Sequence, residues 1–236
     1  MTKTTQYSPP GRVVITIDGL AGTGKSSLAA ALAKRLGFIH LNSGILYRGI
    51  GSLLIESGAS PSDEVALRDV LAKNTLVLKM KAERPVLEVN GQLWGRDLFT
   101  EEIGEYASKA SHFKQVREFL LAAQRDAFPD QPMVTEGRDM GTVVFPSADL
   151  KFFVQVDEEV KAQRRLLQLQ QGGRDVGVTL EGLRLALRER DLRDTERAES
   201  PTKPASDAEI IDNSHETLTS VVERMYNSAA LRGLTS

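Results

Sequence analysis

Eight consecutive residues, Gly19-Leu20-Ala21-Gly22-Thr23-Gly24-Lys25-Ser26, have the types and spacing needed to hold a polyphosphate. Glycines let the backbone wrap phosphate oxygens, and their amide hydrogens converge on a β-phosphate at the start of a helix whose dipole favours an anion. Lys25 adds a point charge near the β and γ oxygens. Ser26 offers a hydroxyl to Mg²⁺, and Ser27 continues the nucleotide-binding stretch. A glycine-rich turn that merely tightened a strand-to-helix joint would give no reason for Lys25 beside Gly24.

Phosphoryl transfer asks a protein chiefly to position reactants and neutralise charge, so a second group of candidates is cationic. Arg48 follows Tyr47, Arg117 lies in a later helical stretch, Arg138 follows Glu136-Gly137, and Arg164-Arg165 precede a densely charged segment. Arg190, Asp194 and Arg197 stand at i, i+4 and i+7, which sets a carboxylate between two guanidiniums on one helix face. Such a face can hold a nucleotide. It can equally be a solvated helix with internal ion pairs, since Glu189, Asp191 and Glu196 are interleaved, and the spacing does not decide. Glu136 ends the apolar stretch Met133-Val134-Thr135, where a carboxylate can meet Mg²⁺ through water or simply face solvent.

The elements that must carry these groups alternate. Val13 to Ile17 reads as a buried strand, Lys25 to Leu36 as a helix stopped by Gly37, Phe38 to Leu41 as a strand, and Gly44 to Glu56 as a helix capped by Asn42-Ser43. Strand and helix in turn imply a parallel α/β sheet. Thr75 to Lys81 and Pro85 to Trp94 instead alternate apolar with polar residues, the latter broken by the hairpin signal Asn90-Gly91. An antiparallel patch does not belong inside a doubly wound sheet, so it predicts an inserted lobe. Helices follow over Thr100 to Ala110 and Phe113 to Ala127, strands over Pro132 to Glu136 and Leu150 to Val156, and helices from Asp157 to Gln171 and Leu180 to Arg197. A strand at Glu209 to Asp212 and a helix at Glu216 to Ala230 end the chain.

Bulk properties narrow the classes. A chain of 236 residues with a net charge of −2 can bury one core with smaller lobes and lacks the basic excess of a nucleic-acid binder. The absence of cysteine excludes disulfide, thiolate-metal and thiol-nucleophile chemistry and fits a reducing cytosol. His40, His112 and His215 lie far apart, with no ligand-like offset between them. The longest apolar runs are strand-sized, and residues 1 to 12 read as a polar, flexible leader, so neither a membrane span nor a secretory segment is expected.

Three runs together resemble bacterial cytidylate kinases: Asn42-Ser43-Gly44-Ile45-Leu46-Tyr47-Arg48, the stretch from Glu136-Gly137-Arg138-Asp139-Met140-Gly141 to Phe145-Pro146, and Glu189-Arg190-Asp191-Leu192-Arg193-Asp194-Thr195-Glu196-Arg197. The resemblance implies a P-loop parallel-sheet core flanked by helices, an inserted monophosphate-binding lobe with a small antiparallel sheet, and a helical lid. On this chain that gives a core at 13–57, 101–163 and 206–236, the lobe at 58–100 and the lid at 164–205. It implies transfer of the γ-phosphoryl group of ATP to CMP or dCMP, with Mg²⁺, in pyrimidine metabolism in the cytoplasm, by a monomer without nucleic-acid or membrane partners.

By position, the resemblance assigns Ser43, Arg117, Asp139 and Arg197 to the cytosine edge, and Ser108, Arg190 and Asp194 to the sugar. Arg48 and Arg138 would hold the α-phosphate of CMP, with Tyr47 packed beside it. Lys25, Arg138, Arg190, Arg193 and Arg164 would surround the transferring group. Three positions depart from the family's pattern: Asn42 and Glu136 stand where aspartates are usual, and Phe99 where an arginine precedes threonine. Arg96 is near enough in sequence to replace that arginine. Another P-loop small-molecule kinase, or a weakly catalytic nucleotide-binding regulator, are the rival readings.

Overall fold

A computed structural model describes residues 12–173 and 177–235. Apart from Arg12, the expected leader lies outside the described residues, as do positions 174–176 of the expected lid. Arg12 itself is buried: its guanidinium lies 5.5 Å from the Phe145 ring and donates to the carbonyls of Phe128 (2.9 Å) and Arg125 (2.6 Å).

Five parallel strands form the central sheet, in the order β2 (Ile39–Asn42), β6 (Met133–Gly137), β1 (Val14–Gly19), β7 (Leu150–Gln155), β8 (Glu209–Asp212). β1 is buried along its whole length, as expected of a central strand covered on both faces. Its side chains alternate between two cores. Ile15 and Ile17 join Leu28 and Leu32 of α1 (Lys25–Leu36) and Val221 and Met225 of α8 (Leu218–Leu231). Val14, on the opposite face, joins Leu46, Ile50 and Leu54 of α2 (Gly44–Glu56), Leu120 of α5 (Lys114–Arg125), Met140 and Phe145. A short π-helical turn, Met140–Val144, lies on this second face and was not expected from the sequence.

The small sheet is antiparallel, in the order β3 (Leu76–Lys81), β4 (Arg84–Val89), β5 (Gln92–Leu93). Asn90 and Gly91 have φ of 52° and 79°, which suits the tight hairpin their types suggested. The turn between β3 and β4 is made by Ala82 and Glu83, at φ 46° and 63°. Neither is a favoured residue for that conformation, which is why only the second turn stood out in the sequence. α3 (Glu64–Lys73) begins at Asp63, whose carboxylate accepts from the amides of Val65 and Ala66. Leu76 and Leu87 pack against α2 at Gly49, so the small sheet rests on the helix that carries Tyr47 and Arg48.

α4 (Glu101–Ala110) starts at Thr100, as expected, and α6 (Glu158–Gln171) and α7 (Leu180–Glu196) lie side by side above the end of β1. The N-terminus of α2 differs in detail. Asn42 caps it by accepting from the Gly44 amide at 2.9 Å, while the Ser43 hydroxyl turns inward and donates to the Glu136 carbonyl at 2.8 Å.

Candidate active site

The glycine-rich loop leaves the C-terminal end of β1, the central strand, and runs into α1. Gly24 caps α1 with a left-handed backbone, φ 81°, and a Cβ there would lie 2.8 Å from the Asn213 side chain. That asparagine donates to the Thr23 carbonyl at 2.8 Å and fixes the back of the loop. Lys25 is buried and donates to the Leu20 carbonyl at 2.9 Å. Burial, reinforced by the neighbouring Arg138, pulls its ammonium from an ordinary 10.5 down to about 7. An anion in the loop would reverse that shift.

Glu136 is buried at the end of β6, not solvated, and its carboxylate accepts from the Ser26 hydroxyl at 2.7 Å. Two hard oxygen donors therefore meet at the loop, a set suited to Mg²⁺ that takes its remaining ligands from phosphate and water. Asn42 pairs with Glu136 across the β2–β6 ladder, so a single carboxylate stands at this point.

The second group of candidates assembles opposite. Asp194 is the buried residue of α7, and it accepts from Arg138 Nε at 2.8 Å with Arg197 at 3.9 Å. Asp194 and Arg197 are thus buried, not solvated, and the internal pair between them lies inside the protein, whereas Arg184 and Glu181 form such a pair on the exposed side. Burial raises the Asp194 carboxyl, but Arg138, Arg190 and Arg197 more than offset it and hold the group below the usual range. Burial, with Arg138 beside it, brings Arg190 down to about 10.

Arg117, on α5, forms an ion pair with Asp139 and stacks 5.5 Å from the Tyr47 ring. Burial and the Asp139 charge push the Tyr47 hydroxyl up to about 12. Tyr47, Arg117 and Asp139 line a cavity of about 110 Å³, with Gln124 and Ser200 also in its lining. Ser43 lies next to it, against Gly137.

Among the described residues, buried side-chain atoms without a hydrogen-bond partner include Arg117 Nε, which lines this cavity, and Ser108 Oγ, Arg190 Nε, Arg193 Nε and Arg197 Nη2. Arg197 lies near Arg117, Asp139 and Tyr47, and Arg190 near Arg138, Asp194 and Arg193. Buried polar groups are ordinarily paired, so these arginines keep donors free for an acceptor, as His40 Nε2 and Trp94 Nε1 do elsewhere in the molecule.

Arg48 Nη1 donates to the carbonyls of Leu98 (2.8 Å) and Thr100 (3.1 Å), and its guanidinium lies 5.3 Å from the Phe99 ring. Phe99 thus supplies an aromatic shelf for Arg48. Arg96 does not replace the missing arginine: it pairs with Glu56 at 2.9 Å and lies against Trp94. Arg164 donates to the carbonyls of Asn213 and Ser214, on the side of the glycine-rich loop held by Asn213.

Several contributors carried no motif of their own. Asp191 accepts from the Ala21 amide at 3.2 Å and pairs with buried Lys161, tying α6 and α7 to the glycine-rich loop. His112 bridges the Ser108 and Arg193 carbonyls and so joins α4 to α7, a structural task. Asp191 lies inside the Glu189–Arg197 run but was read there as one of the interleaved charges of a solvated helix; Lys161 and Asn213 gave no signal.

The sequence matches the family model described as cytidylate kinase over residues 15–231. It is 43% identical over 224 residues to a cytidylate kinase of Marinomonas sp. (strain MWYL1), covering 94% of this chain and 97% of that one. A cytidylate kinase of Bordetella bronchiseptica is 41% identical over 215 residues, covering 91% and 93%. Among solved structures, a protein of Eubacterium ventriosum superposes with a TM-score of 0.50 at 12% identity, over 93% of this chain and 99% of that one, a likeness of fold alone. With the family model matched over residues 15–231 and relatives above 40% identical over nearly their full length, this chain belongs to the cytidylate kinase family.

Proposed function

We propose that the protein transfers the γ-phosphoryl group of ATP to CMP or dCMP, giving ADP and CDP or dCDP. The observation that carries this reading is a glycine-rich loop whose Lys25 lies beside a buried cluster of arginines and a carboxylate, Arg138, Arg190, Asp194 and Arg197, in which Arg190 and Arg197 keep buried donors unpaired. A loop for a triphosphate and a cationic pocket for a second anion are what a nucleoside monophosphate kinase requires.

Gly19 to Ser27 bind the ATP phosphates, and Arg164 extends that half of the site. Ser26 and Glu136 would hold Mg²⁺, which would supply charge screening to the triphosphate. In the acceptor half, Ser43, Arg117, Asp139 and Arg197 read the base. A carboxylate such as Asp139 accepts from the exocyclic amino group of cytosine, which uracil lacks. Ser108, Arg190 and Asp194 take the sugar hydroxyls, and Arg48 and Arg138 the α-phosphate, beside Tyr47.

No covalent enzyme intermediate is required. A phosphate monoester is largely dianionic near neutral pH, so its oxygen attacks without a general base once repulsion between the two anions is screened. Lys25, Arg138, Arg190 and Arg193 supply that screening from four positions. Closure of the helical segment at 164–205 over the site keeps water from competing for the phosphoryl group. The enzyme works in the cytoplasm, in pyrimidine nucleotide metabolism, as a monomer.

The test is coupled ADP release with CMP, dCMP, UMP and AMP as acceptors. CMP and dCMP should be used well, UMP weakly and AMP least. ATP binding without acceptor-dependent ADP release would instead indicate a regulator, and a preference for AMP would indicate a different kinase.

A further inference from the structure

Asp18, the residue immediately before the glycine-rich loop, is buried, and both of its carboxylate hydrogen bonds go to the turn after β6. It shares the face of β1 that carries Val14 and Thr16. Its two carboxylate oxygens accept separately from two successive amides, Met140 N–H at 2.8 Å and Gly141 N–H at 2.7 Å. These amides open the π-helical turn Met140–Val144, where no preceding turn supplies acceptors. The next two residues back are Asp139 and Arg138, whose side chains project to Arg117 and Asp194.

The contact is close on every side. A Cβ on Gly141 would lie 2.8 Å from Thr16 Oγ1 and 3.1 Å from Lys151 Cδ, so this part of the turn is pressed directly onto β1. The turn closes through the Asp139 carbonyl, which accepts from Val143 and Val144. The Asp139–Met140 peptide is thereby held through both its carbonyl and its amide while the Asp139 carboxylate is committed to Arg117.

We propose that Asp18 is a positioning residue for the acceptor: by holding the Met140 and Gly141 amides, it sets Arg138 and Asp139 where CMP needs them. The inference rests on the functional reading above. Burial without a directly bonded cation is unfavourable for a carboxylate, and it pushes Asp18 up to about 7 although the Gly141 and Met140 amides pull the other way. A neutral residue would avoid that penalty, but an asparagine offers a single acceptor oxygen and would turn its NH₂ toward one amide. Fixing two successive amides calls for two oxygens at the same place.

The effect should be one-sided. Asp18 is hydrogen-bonded to Met140 and Gly141 and feels Lys25 only through space, as the weakest of its electrostatic influences, while the ATP half is fixed by Gly24, Asn213 and the α1 dipole. CMP and ATP are titrated separately by calorimetry into wild type, Asp18→Asn and Asp18→Glu, with KM for each substrate measured in parallel. In Asp18→Asn, CMP affinity should fall by about tenfold or more while ATP affinity stays within about twofold, because small displacements of positioning groups have large consequences. Should Asp18→Asn fail to fold, Asp18→Glu, which keeps the charge but extends it by a methylene, should show the same one-sided loss. Equal losses for both nucleotides, or CMP affinity unchanged in a folded variant, would overturn the inference. A wild-type protein that does not bind CMP would overturn the functional reading instead.

Discussion

The two halves of the site are built on opposite principles. The proposed ATP half is mainly one stretch, Gly19 to Ser27, extended by Arg164 from α6, and its binding groups are largely backbone amides at the start of α1. The acceptor half draws side chains from α2, α4, α5, the turn after β6, and α7, and is held by the Arg117–Asp139 and Arg138–Asp194 ion pairs. A backbone site is fixed by local geometry and tolerates most neighbouring substitutions. A site of buried charges depends on each partner, because removing one leaves the other uncompensated.

The largest difference should come from Lys25, the one charged side chain the ATP half contributes from its own loop. Lys25→Ala should lower kcat by about 10³-fold, the scale of losing a preorganised charge at the transferring group. Stability should not fall. In the folded protein Lys25 takes a proton only below about pH 7, against 10.5 when unfolded, so the unfolded chain binds more protons across that window and wild-type stability rises with pH through it. Removing the lysine removes that slope, and melting temperatures between pH 6 and pH 9, about the range makes relevant, would show it. For the same reason ATP binding at about pH 8 should take up close to one proton in wild type and none in Lys25→Ala, measured by calorimetry in buffers of different ionisation heat.

A smaller and purely discriminatory effect is expected in the acceptor half. Arg197→Ala should reduce the CMP to UMP preference in kcat/KM by about tenfold or more, since a pocket built to hydrogen-bond a group penalises analogues lacking it. An unchanged preference would remove Arg197 from base reading. The smallest effect belongs to Phe99, exposed beside Arg48. Phe99→Arg should lower KM for CMP by about two- to fivefold through one more partly solvated phosphate contact, with ATP parameters unaffected.

The same contrast explains what could be read in advance. Gly19 to Ser26 is legible because its chemistry needs consecutive residues, and the parallel core is legible because strands such as Val14–Gly19 and helices such as Lys25–Leu36 carry their own periodicity. The small antiparallel sheet was visible at Asn90-Gly91 but not at Ala82-Glu83, where context imposes a left-handed turn on ordinary residues. Spacing placed Arg190, Asp194 and Arg197 on one face yet left its surroundings open; burial of Asp194 against Arg138, 56 positions earlier, shows that the face is packed inward and not solvated. Glu136 was ambiguous for the same reason. Asp18 and Asn213 gave no signal because each works on a backbone group far away in sequence, Asp18 on an amide 122 positions on and Asn213 on a carbonyl 190 positions back.

If the two halves act as one site, the phosphoryl group passes directly from ATP to CMP. The measurement that tests this most directly is the stereochemical course at phosphorus, using ATP made chiral at the γ-position with oxygen isotopes and analysing the β-phosphoryl group of the CDP formed. A single in-line transfer predicts inversion of configuration. Retention would require two successive transfers through an enzyme-bound phosphoryl group, and would contradict an account in which Lys25 and the arginines only position and screen.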